Sequence, residues 1–473
     1  MRRPRSSTPL CILLTALVAC VWLNQSVGGK DWEAIRDAVY SAPAEHPLEA
    51  ARYPFVFLYR RSLDERYYFE TAAAMLGKPA DEAVVRQMHG RMPASFDERL
   101  PPADGHWHAP YTEVAMEYPP LDLPFFVGPR LVAETFAGYG YLFGALMGLC
   151  MLGGITAAIA AARRGGCDAG GVRTRWLLAS GLLVAQGALA IQRLDPIAAL
   201  FLGLALYAAA CRKPFALGVA MGLAGAAKLL PLLLLPVIVA SDWGAYQKDR
   251  RGLALIAAGA GAALVVGFGP MLFSPRAAGV MLGFHLARGL NVESTLGIAL
   301  GALRAMAGHA EAAPASFGSQ NLDGAAADLL ARLTAPLMLA CLGALVWRLG
   351  VLASTRPAAS NAARVTRITT AALAGAVVVW VTGKVLSPQY LTWSIPLVLA
   401  IPGRLGTRLA WVAILAMAVT QLYTRGFYDL VVAQAPIALA TLAARQALLF
   451  GLLALAARGL DGGVEPAPAG VAA

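Results

Sequence analysis

Apolar runs of about fifteen to twenty-five residues follow one another along most of the chain, and one long polar stretch, about residues 29–120, interrupts them. A helix needs ~20 apolar residues to cross a hydrocarbon core. The runs Pro9 to Val27, Gly138 to Ala162, Trp176 to Ile191, Pro196 to Ala210, Leu253 to Phe273, Ala325 to Trp347, Ile368 to Thr382, Pro388 to Ile401, Leu409 to Tyr423 and Ala433 to Ala457 are therefore expected as spans. Leu121 to Phe136 is apolar but carries Pro124, Gly128, Pro129 and Arg130, which suits a partly inserted segment. Phe215 to Ala240 is too short for two ordinary spans and is interrupted by Lys228 and Pro231. Inside the polar stretch, Asp31 to Tyr40 and Leu63 to Leu76 have helical spacing of apolar positions, with Gly77 as a stop, so juxtamembrane helices are expected there.

Positive residues orient these runs, because Lys and Arg collect on the cytoplasmic side of a membrane protein. If Phe215 to Ala240 is a tight two-segment hairpin, Arg163, Arg164, Arg173, Arg175, Arg212, Lys213, Lys248, Arg250, Arg251, Arg356, Arg364, Arg367, Arg404, Arg408 and Arg458 all fall on one side. A single crossing divides them. The expected fold is an all-α polytopic membrane protein of about 12 transmembrane helices, with a large first extracytoplasmic loop and both termini cytoplasmic. Its parts are a cytoplasmic N-terminus and first span (1–28), the outer loop (29–120), a helical bundle (121–457) with a second outer loop at about 274–324, and a cytoplasmic tail (458–473).

Composition agrees: 58% of residues are hydrophobic and 14% charged, against roughly 45–50% and ~25% in soluble chains. The net charge of +11 sits in the short gaps between apolar runs, where it sets topology, so nucleic acid is not an expected partner. The six cysteines lie in or beside apolar runs and give no disulfide framework. Arg2-Arg3-Pro4-Arg5 ahead of Leu10 to Leu23 has the shape of a signal peptide, and Leu17-Val18-Ala19-Cys20 that of a lipoprotein box. The apolar run continues through Val21, Trp22 and Leu23, which favours an uncleaved first span.

This topology collects Asp64, Glu117, Arg193-Leu194-Asp195, Lys228, Arg288, Glu293, Lys384, Tyr390 and Arg425 at outer ends of spans or in outer loops. Ionisable groups at that depth are costly and commonly face a water-filled cavity. Asp64 and Glu65 open a helix after Ser62, and Ser62-x-x-Glu65 is equally a capping box with no function beyond stabilising the first turn. Glu117-Tyr118-Pro119-Pro120 breaks any helix and re-aims the chain, or is simply a rigid corner with an interfacial aromatic. Lys228 snorkels or meets a lipid phosphate. Arg288 and Glu293 could form a local ion pair, and Tyr390 and Trp393 could be belt aromatics after Ser387-Pro388. His106-x-His108 has metal-like spacing without a third ligand nearby and reads as surface histidines.

Taken in order, Asp64 with Tyr67-Tyr68, Pro110-Tyr111, Glu117-Tyr118-Pro119-Pro120-Leu121, Asp195-Pro196, Lys228-Leu229-Leu230-Pro231, Arg288-Gly289-Leu290 with Glu293-Ser294, and Lys384 with Ser387-Pro388-Gln389-Tyr390 and Trp393 resemble bacterial membrane glycosyltransferases of the GT-C type. The likeness is to the polyprenyl-phosphate-mannose-dependent family numbered eighty-seven and covers about residues 8–457; the segment at about 78–109 departs from it as an insertion. The resemblance implies a GT-C fold in a bacterial inner membrane. It also implies transfer of a sugar, mannose by the family's habit, from a polyprenyl-phosphate donor to a hydroxyl of a glycolipid or glycan acceptor at the extracytoplasmic face. Asp64 is then the general base of an inverting reaction. Lys228, Arg288 and Lys384 hold the donor phosphate, with no metal or other cofactor required. Glu65, Tyr68, Glu117 and Tyr118 lie on the acceptor side, and Glu293, Gln389 and Tyr390 line the rest of the pocket. The competing class is a polytopic transporter or lipid flippase, although such proteins commonly have two related halves, and the Asp64 loop has no second copy in this sequence.

Overall fold

The computed structural model describes residues 63–89, 100–114, 116–272 and 275–461. The expected first span, the helix at Asp31 to Tyr40, the Ser62 cap, residues 90–99 of the insertion and most of the tail lie outside the described residues. The helices are α1 (Leu63–Met75), α2 (Glu82–His89), α3 (Leu123–Val132), α4 (Phe136–Arg164), α5 (Ala169–Gln186), α6 (Asp195–Ala210), α7 (Pro214–Ala227), α8 (Leu234–Ser241), α9 (Trp243–Lys248), α10 (Arg250–Leu272), α11 (Pro275–Ala287), α12 (Thr295–Met306), α13 (Ala325–Thr355), α14 (Asn361–Thr382), α15 (Ser394–Leu399), α16 (Gly403–Gly426), α17 (Tyr428–Val432) and α18 (Pro436–Asp461). Among these, α4, α10, α13, α14, α16 and α18 are long and apolar enough to cross a membrane, and α6, α7 and α8 are shorter apolar helices. The chain is a helical membrane protein.

Side-chain bonds sort the helix ends into two groups. At one end Arg364 donates to Asp242 Oδ2 at 2.7 Å and to the Ala209 carbonyl at 3.1 Å, Asn361 donates to the Arg164 carbonyl at 2.9 Å, and Arg175 donates to the Leu399 carbonyl at 3.0 Å. At the other end Lys228 meets Asp195, and Gln186 donates to Thr392 Oγ1 at 3.0 Å and the Pro388 carbonyl at 3.3 Å. Phe215 to Ala240 therefore runs out and back. α7 leaves the Arg364 end, the helix breaks at Lys228 in extended backbone (φ −157°, ψ 124°), a 3-10 turn at Leu230–Leu233 follows, and α8 returns to Asp242.

Glycines let the spans approach backbone to backbone. A Cβ on Gly203 of α6 would run into the Gly154 carbonyl of α4, and one on Gly218 of α7 into the Ile256 carbonyl of α10. Small residues drive such contacts because lipid gives apolar side chains no incentive to leave it, so close van der Waals packing has to hold helices together.

α1 forms where the helical spacing places it and stops at Gly77, whose φ of +61° a side-chain-bearing residue would resist. It does not lie on a surface. Tyr67, Ala72, Ala73 and Met75 are fully buried, because α2, α3 and the loop from residue 100 cover it, with Gly105 N donating to the Gly77 carbonyl at 2.9 Å and His108 N to the Met75 carbonyl at 2.8 Å. α3, the expected partly inserted segment, has only 10 residues and contains Pro129; at 1.5 Å per residue it spans about 15 Å, half a hydrocarbon core. The second outer loop holds a feature the apolar pattern gives no hint of, a small antiparallel sheet of β1 (Leu290–Asn291), β2 (Ala315–Ser316) and β3 (Ser319–Leu322) in the order β1-β3-β2. Phe317 and Gly318 both have positive φ, 51° and 65°, as the twist of a two-residue hairpin favours.

The glycine seam gives a matched test. Alanine for glycine inside a helix is ordinarily stabilising by about 1 kcal/mol. Gly218→Ala should instead destabilise by about 1–3 kcal/mol through overpacking, lowering the thermal midpoint of the detergent-purified protein. Gly261→Ala, in α10 where the added carbon meets open space, should leave it unchanged or raise it. Equal behaviour of the two would show that the seam is not tight.

Candidate functional site

α1 puts Asp64 in its first turn, and the Asp64 carboxylate forms an ion pair with Arg193, the two side chains being 16% and 14% exposed. Arg193 belongs to the short turn that leads into α6. Two residues on, Asp195 opens α6 and accepts from the Lys228 ammonium with both oxygens, at 2.8 and 2.7 Å. An acidic residue followed by proline suits a helix start, where the dipole favours negative charge and the missing N–H costs nothing. One tripeptide thus offers a cation to α1 and an anion to the break after α7. The Lys228 ammonium also lies 4.9 Å from the centre of the Tyr390 ring and 5.7 Å from that of Trp393, two rings stacked 5.0 Å apart.

The far end of the long polar stretch returns to the same place. The Tyr67 hydroxyl donates to Glu117 Oε2 at 2.6 Å, the Tyr68 and Tyr118 hydroxyls are 3.2 Å apart, and the Tyr111 hydroxyl donates to the Tyr118 carbonyl at 2.6 Å. Burial, and then the charge of Glu117, raise the Tyr67 hydroxyl well above the ordinary phenol range, so it remains the donor. Pro119-Pro120 turns the chain into a 3-10 turn that carries Asp122, which is 1% exposed and under the electrostatic influence of Lys228 and Asp195.

His285 of α11 closes this side, its Nε2 lying 3.1 Å from the Glu117 carbonyl. A carbonyl only accepts, so Nε2 carries the proton and Nδ1 keeps its lone pair. Burial first, and Arg288 second, push the imidazole down to about 4, which keeps it neutral near pH 7. Arg288 acts electrostatically on Tyr118 while its guanidinium donates to the Phe317 carbonyl at 2.7 Å and the Gly318 carbonyl at 3.2 Å. Lys384 donates to the Leu286 and Arg288 carbonyls at 2.9 and 2.8 Å, and its own carbonyl accepts from Asn291 N at 2.9 Å. Its ammonium therefore serves as a strut that ties the Arg288 loop to the end of α14.

The remaining expected residues lie further from this centre. Glu65 is 1% exposed on the flank of α1 that acts on Tyr139 of α4. Gln389 is partly exposed next to Tyr390. Glu293 is 2% exposed and paired with Arg445, itself 1% exposed, at 3.2 Å; Tyr423 and Tyr428 donate to its two oxygens at 2.5 and 3.2 Å, and Gln446 to its carbonyl at 3.3 Å. This closed cluster anchors the second outer loop to α16, α17 and α18.

Participants to which the sequence reading assigned no role at the site include Arg193, Asp195, His285 and Arg445. Arg445 had the plainest signal, a charge in the middle of the apolar run Ala433 to Ala457. His285 stands alone in an apolar helix, and Arg193 is visible as half of an opposite-charge pair at the edge of a span.

The Glu293 cluster makes a stability prediction. Arg445→Met strands a buried carboxylate and should cost about 3–5 kcal/mol, whereas combining it with Glu293→Gln should recover much of that. Monodispersity in detergent and the thermal midpoint report both variants; a single variant as stable as the parent would remove the anchoring role.

No family model, curated protein or solved structure matches this chain, so its function has to be read from the geometry of this cluster.

Proposed function

We propose that the chain is an integral-membrane glycosyltransferase of GT-C type, with about 12 crossings, that moves a sugar from a polyprenyl-phosphate donor to a hydroxyl of a glycolipid or glycan at the extracytoplasmic face of a bacterial inner membrane. The observation that carries this reading is convergence. Asp64, the Glu117-Tyr118 corner, Arg193-Leu194-Asp195, Lys228, His285 and Arg288 come from segments spread over more than two hundred residues and meet at one end of the bundle. A set of isolated helix caps and belt aromatics would have no reason to meet.

In this reading the Asp64 carboxylate accepts the proton of the acceptor hydroxyl as its oxygen attacks the anomeric carbon. The bond from that carbon to the phosphate oxygen breaks on the opposite face, so the configuration inverts. Negative charge grows on the departing lipid phosphate, and Lys228 and Arg288 are the cations placed to stabilise it. Lys384 contributes by fixing the Arg288 loop. Tyr67, Tyr68, Glu117 and Tyr118 form the hydrogen-bonding wall on the acceptor side.

Asp64→Asn keeps the side chain's shape and a hydrogen-bond acceptor for Arg193, with monodispersity in detergent checking the fold, and should lower transfer of labelled sugar from a polyprenyl-phosphate donor by roughly 10²–10⁴-fold. Retained transfer would exclude Asp64 as the base. A parent protein that translocates or binds the lipid without ever transferring the sugar would favour the flippase reading.

A further inference from the structure

We propose that Arg193 is a positioning residue that holds Asp64 at rest and is exchanged onto the donor: an incoming phosphate monoester or diester takes the guanidinium and thereby frees the carboxylate to act as base. This deepens the glycosyltransferase reading and rests on it.

Four cations at this end of the bundle, among the described residues, are each engaged by other groups of the chain. Lys228 is held by Asp195, Arg288 by the Phe317 and Gly318 carbonyls, Lys384 by two further carbonyls, and Arg193 by Asp64. A phosphate that takes a cation from its carboxylate leaves that carboxylate behind, and the two carboxylate pairs are not equal. Asp195 is 2% exposed and meets its ammonium with both oxygens, so pulling Lys228 away would leave a buried charge without compensation. Asp64 is 16% exposed and has an alternative partner in the reaction itself, the acceptor hydroxyl. Exchange therefore falls on the Asp64–Arg193 pair. A guanidinium also suits the task, since its planar fork matches a phosphate as well as a carboxylate. Arg193 and Asp195 are two residues apart, so the exchange places the phosphate on the same turn that holds Lys228 against its aromatic wall. The exchange balances charge: the phosphate inherits the cation as the carboxylate gains a proton donor. It also makes base activation conditional on donor binding, which suppresses wasteful deprotonation in the empty site.

The test reads the carboxylate directly. Detergent-purified parent protein is treated with a water-soluble carbodiimide and an amine, and modification of Asp64 is measured by peptide mass spectrometry with no ligand, with farnesyl phosphate, with farnesol, and with inorganic phosphate. Modification should rise several-fold with farnesyl phosphate and stay at the resting level with farnesol. A rise with inorganic phosphate alone would show that the headgroup suffices, and its absence that the prenyl chain is needed for delivery; both support the exchange. No rise with either phosphate overturns it. Arg193→Gln should show high modification without ligand and a donor KM raised at least tenfold, and Arg193→Lys should restore part of both; a donor KM unchanged in Arg193→Gln also overturns the proposal. If the parent transfers sugar but its Asp64 labelling ignores phosphate, the exchange fails and the enzyme reading stands. If the parent never transfers sugar, that reading fails separately.

Discussion

Two ion pairs made by one tripeptide organise one end of the helical bundle. Arg193 faces α1 and Asp195 faces the break after α7, so elements from the polar loop and from the middle of the bundle are referenced to the same turn. Buried charges are expensive unless each has its partner, and truncating one partner costs far more than the pair contributes. That asymmetry explains why the arrangement is a geometric constraint more than a source of stability. It fixes where a carboxylate and an ammonium stand relative to each other, and the stacked rings of Tyr390 and Trp393 complete the wall behind the ammonium.

The rest of the fold serves to keep that turn in place. Glycine seams bring α4 to α6 and α7 to α10 at backbone distance, so α6, which opens on Asp195, and α7, which ends before Lys228, are each held tightly to a neighbouring span. The segment between α11 and α12 is fixed twice, by Lys384 from the end of α14 and by the closed cluster of Glu293, Arg445, Tyr423 and Tyr428. Both ties act on the segment that presents His285 and Arg288. An apolar cleft of about 530 Å³, lined by Val239, Trp243, Val346 and Trp347 among others, lies towards the Arg364 end and has none of this chemistry.

The apolar runs located the six long apolar helices, with ends off by up to eight residues, because membrane burial demands long uniform stretches. Pro388 to Ile401, expected as a span, is instead a 3-10 turn (Pro388–Trp393) followed by the six-residue α15, since Pro388 and Pro396 interrupt the helical ladder. Lys228 marked the break in Phe215 to Ala240, and the side-chain bonds at Asp242 and Asp195 agree with the out-and-back path that the positive charges required. What the pattern did not carry was pairing. Nothing in the spacing tells that Glu293 meets Arg445, 152 positions away, or that Asp64 meets Arg193 and not a substrate. The burial of α1 was equally hidden: its polar and apolar residues are mixed around the helix, and only the covering elements decide that it is interior. The small sheet is set by the Phe317-Gly318 turn, too short a signal to stand out among apolar helices.

On the proposed reading, the end of the bundle built around Arg193-Leu194-Asp195 receives a lipid-borne phosphate. A density map of the full chain in lipid nanodiscs with bound polyprenyl phosphate tests it most directly. The account predicts phosphate density between Lys228 and Arg193, with the Asp64 side chain turned away from the guanidinium. Phosphate density at the Arg364 end, or an Asp64–Arg193 pair left intact beside a bound lipid phosphate, would contradict it.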